Sequence, residues 1–152
     1  MLTAWRLVRR KYASEVASGQ GAVRAGGRWN SRGRAMIYAS AHQSLAALEN
    51  LVHLNPRIIL SYKMVAITFD EELLQTLAIS DLQADWRSEP PPPSTKAVGD
   101  QWIKNGTSVV LAVPSTIVPQ EANYLLNPRH RDFAKIRFSD PKAFSFDPRL
   151  LA

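Results

Sequence analysis

Hydrophobic positions alternate with polar ones in some segments of the chain and recur every three to four residues in others. These two periods predict a mixture of strands and helices. Strands are predicted at 4–10, 35–38, 57–69, 108–113, 133–138 and 143–146, and short helical turns at 70–77 and 100–105. Because these elements do not follow the regular alternation of a doubly wound sheet, we predict a mixed α/β (α+β) domain with a largely antiparallel sheet.

The longest predicted helix follows the strand at 35–38. Ser40 and Gln43 have the spacing of a capping box, and the helix runs to about residue 54, before Pro56. Its apolar stripe consists of Ala41, Leu45, Leu48 and Val52. Glu49 lies about 70° from the centre of that stripe on a helical wheel. We therefore predict Glu49 at the edge of the buried face, where a carboxylate needs a partner or a function.

Two segments interrupt the periodic patterns. Residues 19–33 carry five of the seven glycines, which predicts a loop that turns sharply or approaches another group closely. Residues 89–95 include four consecutive prolines, which favour an extended surface loop rather than a domain linker. Neither flank is long enough for a comfortable core of its own, so residues 1–152 are predicted to form a single domain.

Positive charge is concentrated near the start of the chain. Residues 1–34 hold eight Lys or Arg against one acid, Glu15, for a net charge of +7, whereas the remaining residues carry −1. Such a field attracts phosphates, whether of a nucleic acid or of a small phosphorylated ligand. A solvated basic surface without a ligand explains the charge equally well.

The composition excludes some classes of protein. The chain contains no cysteine, which rules out disulfides and cysteine metal sites and fits a reducing compartment. Residues 1–6 lack the apolar core of a signal peptide, and the longest apolar run, at 109–113, is too short to span a bilayer. We expect a cytoplasmic protein.

Arg28 and Glu49 are the two charged residues whose surroundings point to chemistry. Arg28 follows two glycines, and a guanidinium in such a loop can hold a phosphate or carboxylate with two parallel hydrogen bonds, or simply stack on Trp29. Glu49 can bind a ribose hydroxyl, stabilise positive charge on a sugar carbon, or form an ordinary salt bridge at the helix edge.

Three uncharged residues are further candidates. Ser115 follows a predicted strand but lacks the G-x-S-x-G pattern, which favours hydrogen bonding, or a plain turn, over covalent catalysis. Tyr38 can stack on a planar ring or belong to the core, and Asn127 can line a pocket or cap a turn. His42 and His53 share a side of the helix with Glu49 but converge poorly, so no metal site is expected.

Taken together, these patches resemble the RES-domain family, the toxins of bacterial Xre–RES toxin–antitoxin systems, which is named for an arginine, a glutamate and a serine. The patches are GGRWN at 26–30, SLAALE at 44–49, VPS at 113–115 and EANYLLNP at 121–128. The resemblance implies a fold like that of ADP-ribosyltransferases and no cofactor, since NAD is the substrate. Family toxins split NAD with water or phosphate, or transfer its ADP-ribose to a protein.

The resemblance also implies which residues form the site: catalytic Arg28, Glu49 and Ser115, and NAD-binding Arg6, Tyr38 and Asn127. In that scheme Arg28 and Arg6 contact phosphates, and Tyr38 stacks on nicotinamide. Glu49 holds the ribose, and Ser115 positions the ribose or a phosphate. Breaking the nicotinamide–ribose bond creates positive charge that a carboxylate stabilises.

The resemblance finally implies a partner, an Xre-type antitoxin whose helix-turn-helix domain binds DNA and which covers the active site. Two other classes of function remain open on the residues alone. The basic segment would also suit a nucleic-acid-binding or RNA-cleaving toxin, although few aromatic residues accompany the charges for base stacking. A catalytically silent protein that binds only the antitoxin is the third class.

Overall fold

Eight strands of the computed structural model, which describes residues 1–55 and 61–151, form one sheet. They are β1 Leu2–Arg9, β2 Ile37–Ser40, β3 Tyr62–Phe69, β4 Leu74–Thr76, β5 Val110–Pro114, β6 Ala122–Leu126, β7 Arg137–Phe138 and β8 Lys142–Phe144. Their order is β4-β5-β6-β2-β1-β3-β7, with β8 also paired to β3. Only β4 and β5 pair in parallel among these strands, which confirms the predicted α+β fold with a largely antiparallel sheet.

Both faces of the sheet are buried. Val110 and Leu126 belong to one apolar cluster, together with residues of β1, β2 and β3. Their chain neighbours Leu111 and Leu125 belong to a second cluster, since successive strand residues point to opposite faces. The second face is covered by helices α2, Gln43–Leu51, and α3, Pro93–Asn105, while the short α1, Gln20–Ala25, lies before β2.

Helix α2 begins differently from the prediction. His42 is its N-cap, without a side-chain capping bond, so the predicted capping box of Ser40 and Gln43 is wrong. Ser40 is instead the last residue of β2, opposite Asn123 of β6, and its hydroxyl donates to the Asn123 Oδ1 at 2.7 Å. Strand pairing therefore uses the hydroxyl that local sequence assigned to the helix.

The buried face of α2 is rotated from the predicted stripe. Leu45 and Ala46 are buried, whereas Leu48 and Val52 are 38% and 62% exposed. At about 100° per residue, Glu49 lies about 10° from the midpoint of Leu45 and Ala46. Glu49 thus stands at the centre of the buried face, and its predicted place at the edge is wrong.

Several other predictions need correction. The segment 19–33 contains α1, and the strand predicted at 35–38 lies at Ile37–Ser40. The helical turn predicted at 70–77 is a 3-10 turn followed by β4, and the strand predicted at 133–138 is a 3-10 turn followed by β7. Strand β6 was not predicted, and the part of the predicted strand 57–69 before residue 61 lies outside the described residues.

The proline run leads into the longest helix described. Pro93 occupies the first turn of the 13-residue α3, where a missing N–H costs no intrahelical hydrogen bond. The run is therefore a loop only up to Pro92, and Pro92 itself is buried. Trp102 of α3 is buried, and its indole Nε1 donates to the Ser108 Oγ at 2.8 Å. None of the helices in the described residues has the length and apolar character needed to span a membrane.

Candidate active site

Glu49 and Ser115 belong to one hydrogen-bonded network, whose other two members are Asn123 and Ser40. The Glu49 Oε1 accepts from the Ser115 Oγ and from the Asn123 Nδ2, each at 2.7 Å. Ser115 follows the end of β5, and Asn123 lies near the start of the antiparallel β6, opposite Val113. Since α2 packs on β1 and β2 beside these strands, its buried face brings Glu49 to both donors.

The Ser115 hydroxyl both donates and accepts hydrogen bonds. Its oxygen accepts from the backbone N–H groups of Ile117 and Val118, each at 3.1 Å, and its proton is donated to Glu49. A serine hydroxyl has only one proton to donate. The side chain is also fully buried. The arrangement fits the predicted hydrogen-bonding role, because Ser115 shapes the loop after β5 and orients the carboxylate.

Asn123 is a site residue that the sequence reasoning did not single out. It lies within the EANYLLNP patch, but the strand that positions it was not predicted. Ser40 donates to its Oδ1, which turns the Nδ2 toward Glu49. Knowledge of the β2–β6 register would have placed Ser40 and Asn123 opposite each other and revealed the pair.

Arg28 is held by a different part of the molecule. Its Nη1 donates to the carbonyl oxygens of Trp86 at 3.0 Å and Ser88 at 2.9 Å, and its Nη2 forms an ion pair with Glu89. The Arg28 side chain is 11% exposed, whereas that of Glu89 is 68% exposed. Within the described residues, the hydrogen bonds of Arg28 do not reach Glu49 or Ser115, so the three residues are not one contiguous network.

Tyr38 supports the loop that carries Arg28. Its hydroxyl donates to the Asn30 Oδ1 at 2.6 Å and accepts from the Trp29 N–H at 3.1 Å. Gly27 packs so closely that a Cβ there would lie 2.6 Å from the Tyr38 hydroxyl oxygen. The glycine before Arg28 is therefore required by the close approach of the tyrosine ring.

Arg6 approaches Tyr38 from β1. Its Nη1 donates to the Tyr38 carbonyl at 2.7 Å, while its buried Nε has no partner in the described structure. Burial lowers the pKa of Arg6 to about 10, so it stays charged at neutral pH. Burial raises the pKa of Tyr38, against the opposing effects of the Trp29 hydrogen bond and the Arg28 and Arg6 charges. Tyr38 is thus a neutral donor between two cations.

Helix α3 fixes the Arg28 loop from its other side. The Lys96 ammonium donates to the Gly27 carbonyl at 2.5 Å, and Asp100 accepts from the Ser31 hydroxyl at 2.6 Å and backbone N–H at 2.9 Å. Gly99 lies between them, and a Cβ on it would be 1.6 Å from the Trp29 carbonyl oxygen. The spacing of residues 96, 99 and 100 on one helix face was available in the sequence.

Asn127 lies beyond the opposite end of β6 from Asn123. It is buried, and its Oδ1 accepts from the Arg129 N–H at 3.0 Å, so its side chain caps the turn after the strand. This is the turn-capping alternative raised by the sequence. In the described residues, no group of three or more His, Cys, Asp or Glu is arranged to hold a metal ion.

Comparison with known proteins shows which family the chain resembles. The family model described as RES domain matches residues 3–147. Over 148 residues the chain is 42% identical to "Toxin Res" of Yersinia enterocolitica, covering 96% of this chain and 97% of that protein. It is 36% identical over 153 residues to the "Prs ADP-ribosylating toxin" of a Sphingobium species, covering 97% of this chain and 95% of that protein.

A solved structure shares the fold. A chain from the crystal structure of the M. tuberculosis MbcT–MbcA toxin–antitoxin complex superposes with a TM-score of 0.72 at 15% identity. The match covers 99% of this chain and 86% of that chain.

Proposed function

The chain belongs to the RES domain family, and from that premise we propose that it is the toxin of a toxin–antitoxin system, an enzyme that consumes NAD at the nicotinamide–ribose bond. One relative is named an ADP-ribosylating toxin, and ADP-ribosyl transfer breaks this same bond. The observation that carries the proposal is the Glu49 carboxylate. It is partly exposed, two neutral donors hold its Oε1, and no described residue donates to its Oε2.

This carboxylate suits the chemistry of the bond. As the bond between the ribose C1′ and the nicotinamide nitrogen breaks, its electron pair leaves with neutral nicotinamide. Positive charge develops on the ribose, and a fixed carboxylate beside it stabilises that charge and accepts a hydrogen bond from a ribose hydroxyl. An acceptor, either water, phosphate or a protein side chain, then bonds to C1′ and releases its proton to solvent.

The remaining site residues are proposed to bind NAD. Arg6 offers a cation whose Nε is buried without a partner, and Arg28 offers a second cation near Tyr38. Both suit the pyrophosphate. The Tyr38 hydroxyl is already paired, which leaves its ring for stacking on nicotinamide. Asn127 would shape the pocket wall through the turn that it caps.

The proposed partner is an antitoxin that covers the site, in line with the toxin–antitoxin complex of the structural neighbour. We propose that it is of the Xre type, with a helix-turn-helix domain that confers DNA binding on the complex. Since the proposed substrate is the NAD of the cell, we also propose that the chain acts in the cytoplasm. Adding the antitoxin should suppress NAD loss, whereas unchanged turnover in a stable complex would contradict coverage of the site.

The decisive experiment is incubation of the purified chain with NAD, with and without phosphate, followed by product identification. Release of nicotinamide is expected, and the second product identifies the acceptor. Glu49→Gln should abolish most of this release, and Glu72→Gln, which changes an exposed carboxylate elsewhere, serves as the control. A parent chain that releases no nicotinamide would overturn the proposed function.

A nucleic-acid-binding function is the second candidate. It is favoured by a cavity of about 470 Å³ lined by Arg9, Arg10, Lys11 and Ser61, all near the end of β1. This reading predicts RNA or DNA binding that weakens steeply with salt. It leaves the centring of Glu49 on the buried helix face unexplained. Titration with total RNA at two salt concentrations, beside the NAD assay, separates the two functions.

A further inference from the structure

Asn123 occupies the best-fixed position in the Glu49 network. It lies in β6 between two paired neighbours, with Ser40 opposite it on β2 and Val113 opposite it on β5. Its side-chain amide is held at both ends, because the Ser40 hydroxyl donates to its Oδ1 and its Nδ2 donates to Glu49. Ser40 is itself buried. The amide can therefore neither turn over nor swing away without breaking a partly buried hydrogen bond.

Two donors to the same carboxylate oxygen restrict the orientation of the Glu49 carboxylate more tightly than a single donor would. The terminal torsion of a glutamate is broad, so a single hydrogen bond leaves the carboxylate plane free to rotate. Ser115 and Asn123 reach Oε1 from different elements, the loop after β5 and the strand β6. Since Ser115 has no second proton to offer, the second restraint comes from Asn123. Together they hold the carboxylate so that Oε2 is the oxygen left for a ligand.

We propose that Asn123 is a positioning residue for the reaction, and this inference rests on the proposed function. It acts through Glu49 and does not touch NAD. Its amide fixes the plane of the carboxylate against which the ribose charge develops. A misplacement of about 1 Å in such a group lowers a rate about 100-fold. A residue that only stabilised β6 would instead change the unfolding temperature and leave the turnover of the folded enzyme unchanged.

The test measures kcat and KM for NAD consumption in four variants of the full chain, each checked for folding by thermal melting. Asn123→Asp keeps the shape but replaces the N–H donor by a second carboxylate against Glu49, and we expect kcat to fall about 100-fold with KM changed less than about threefold. Asn123→Gln keeps the donor on a longer stem and should recover part of the loss. Asn105→Asp makes the same chemical change on the exposed end of α3 and should behave like the parent.

The fourth variant covers the case in which Asn123→Asp does not fold. Ser40→Ala leaves Asn123 and Glu49 in place but removes the bond that orients the amide, so an intermediate loss of kcat is expected. If the parent consumes NAD and the folded Asn123 and Ser40 variants keep its kcat, the positioning role is overturned while the function stands. If the parent consumes no NAD, the proposed function and the positioning role of Asn123 are both overturned.

Discussion

The two charged ends of the candidate site are built in opposite ways. Glu49 lies on a helix and is held by neutral donors from a strand and from the loop that follows one. Arg28 lies in a loop, and its guanidinium is bound to another loop that includes the carboxylate of Glu89. Side chains placed on regular elements are held more precisely than those on loops. The carboxylate end is therefore ready for a ligand, whereas the cation end must exchange a partner to receive one.

The free-energy cost of breaking the existing contacts is also lower at the Arg28 end than at the Glu49 end. An ion pair with an exposed partner contributes about 0–1 kcal/mol, so the Glu89 carboxylate gives way easily to a ligand phosphate. The backbone carbonyls of Trp86 and Ser88 would keep the guanidinium oriented during that exchange. At the other end, separating Glu49 from its donors would leave the buried Ser115 hydroxyl without an acceptor, which costs about 1–3 kcal/mol.

The largest expected effect comes from removing the charge of the fixed end. Glu49→Gln preserves the size of the side chain but not the negative charge, and we expect kcat for NAD consumption to fall about 1,000-fold. Single-turnover measurement of nicotinamide release checks this, with Glu72→Gln as the matched control. A loss smaller than about tenfold would mean that the carboxylate end does not carry the chemistry.

Arg28→Lys tests the cation end and should affect binding more than turnover. A lysine keeps the charge but cannot make the two parallel hydrogen bonds of a guanidinium, so we expect kcat/KM to fall about 100-fold, mainly through KM. Arg24→Lys, on the exposed surface, is the control. If kcat fell and KM stayed constant, the division of labour between the two ends would be wrong.

Gly27→Ala tests how the Arg28 loop is supported. The added methyl group would lie 2.6 Å from the Tyr38 hydroxyl, and overpacking of this kind lowers the free energy of unfolding by about 1–3 kcal/mol. Gly21→Ala is a matched control, because nothing lies within 4 Å of its Cβ position and alanine favours the helix α1. Urea unfolding of both variants measures the difference, and equal stabilities would contradict the close packing.

Glu89→Gln should have the smallest effect and the opposite sign. Without the competing carboxylate, Arg28 binds a phosphate more readily, so KM for NAD should fall about two- to fivefold with kcat unchanged. The difference should shrink at high salt, because the partner is exposed. Glu71→Gln is the control. A higher KM in Glu89→Gln would show that Glu89 helps substrate binding rather than competing with it.

The same two ends differ in how well the sequence predicts them. Glu49 and Ser115 were each singled out, because one lies on a periodic helix and the other follows a buried strand, but only the family resemblance placed them in one site. The centring of Glu49 was missed, since Leu48 and Val52 looked like core residues and only tertiary packing leaves them exposed. Asn123 was missed because ANYLL, the sequence of β6, carries no clear alternation of apolar and polar residues.

The hydrogen-bond partners of Arg28 were harder to predict from the sequence. Residues 86–89 follow it by about sixty positions in the chain, and no local pattern links a glycine-rich loop to them. The helical turn was predicted to begin only at residue 100, so the first two turns of α3 were missed, and with them Lys96, which binds the Arg28 loop. The positions of loops relative to one another depend on the whole fold, whereas strands and helices carry their own periods.

A substitution at Gly99 should inactivate this toxin although the residue lies outside the candidate site. Any side chain there would collide with the Trp29 backbone and push α3 away from the Arg28 loop, although Gly99 itself contacts no proposed ligand. In a bacterial population that loses its antitoxin, survivors are those whose toxin has failed. Sequencing such survivors should therefore recover substitutions at Gly99 alongside those at Glu49, and the resulting chains would be inactive through misplaced packing rather than through altered chemistry.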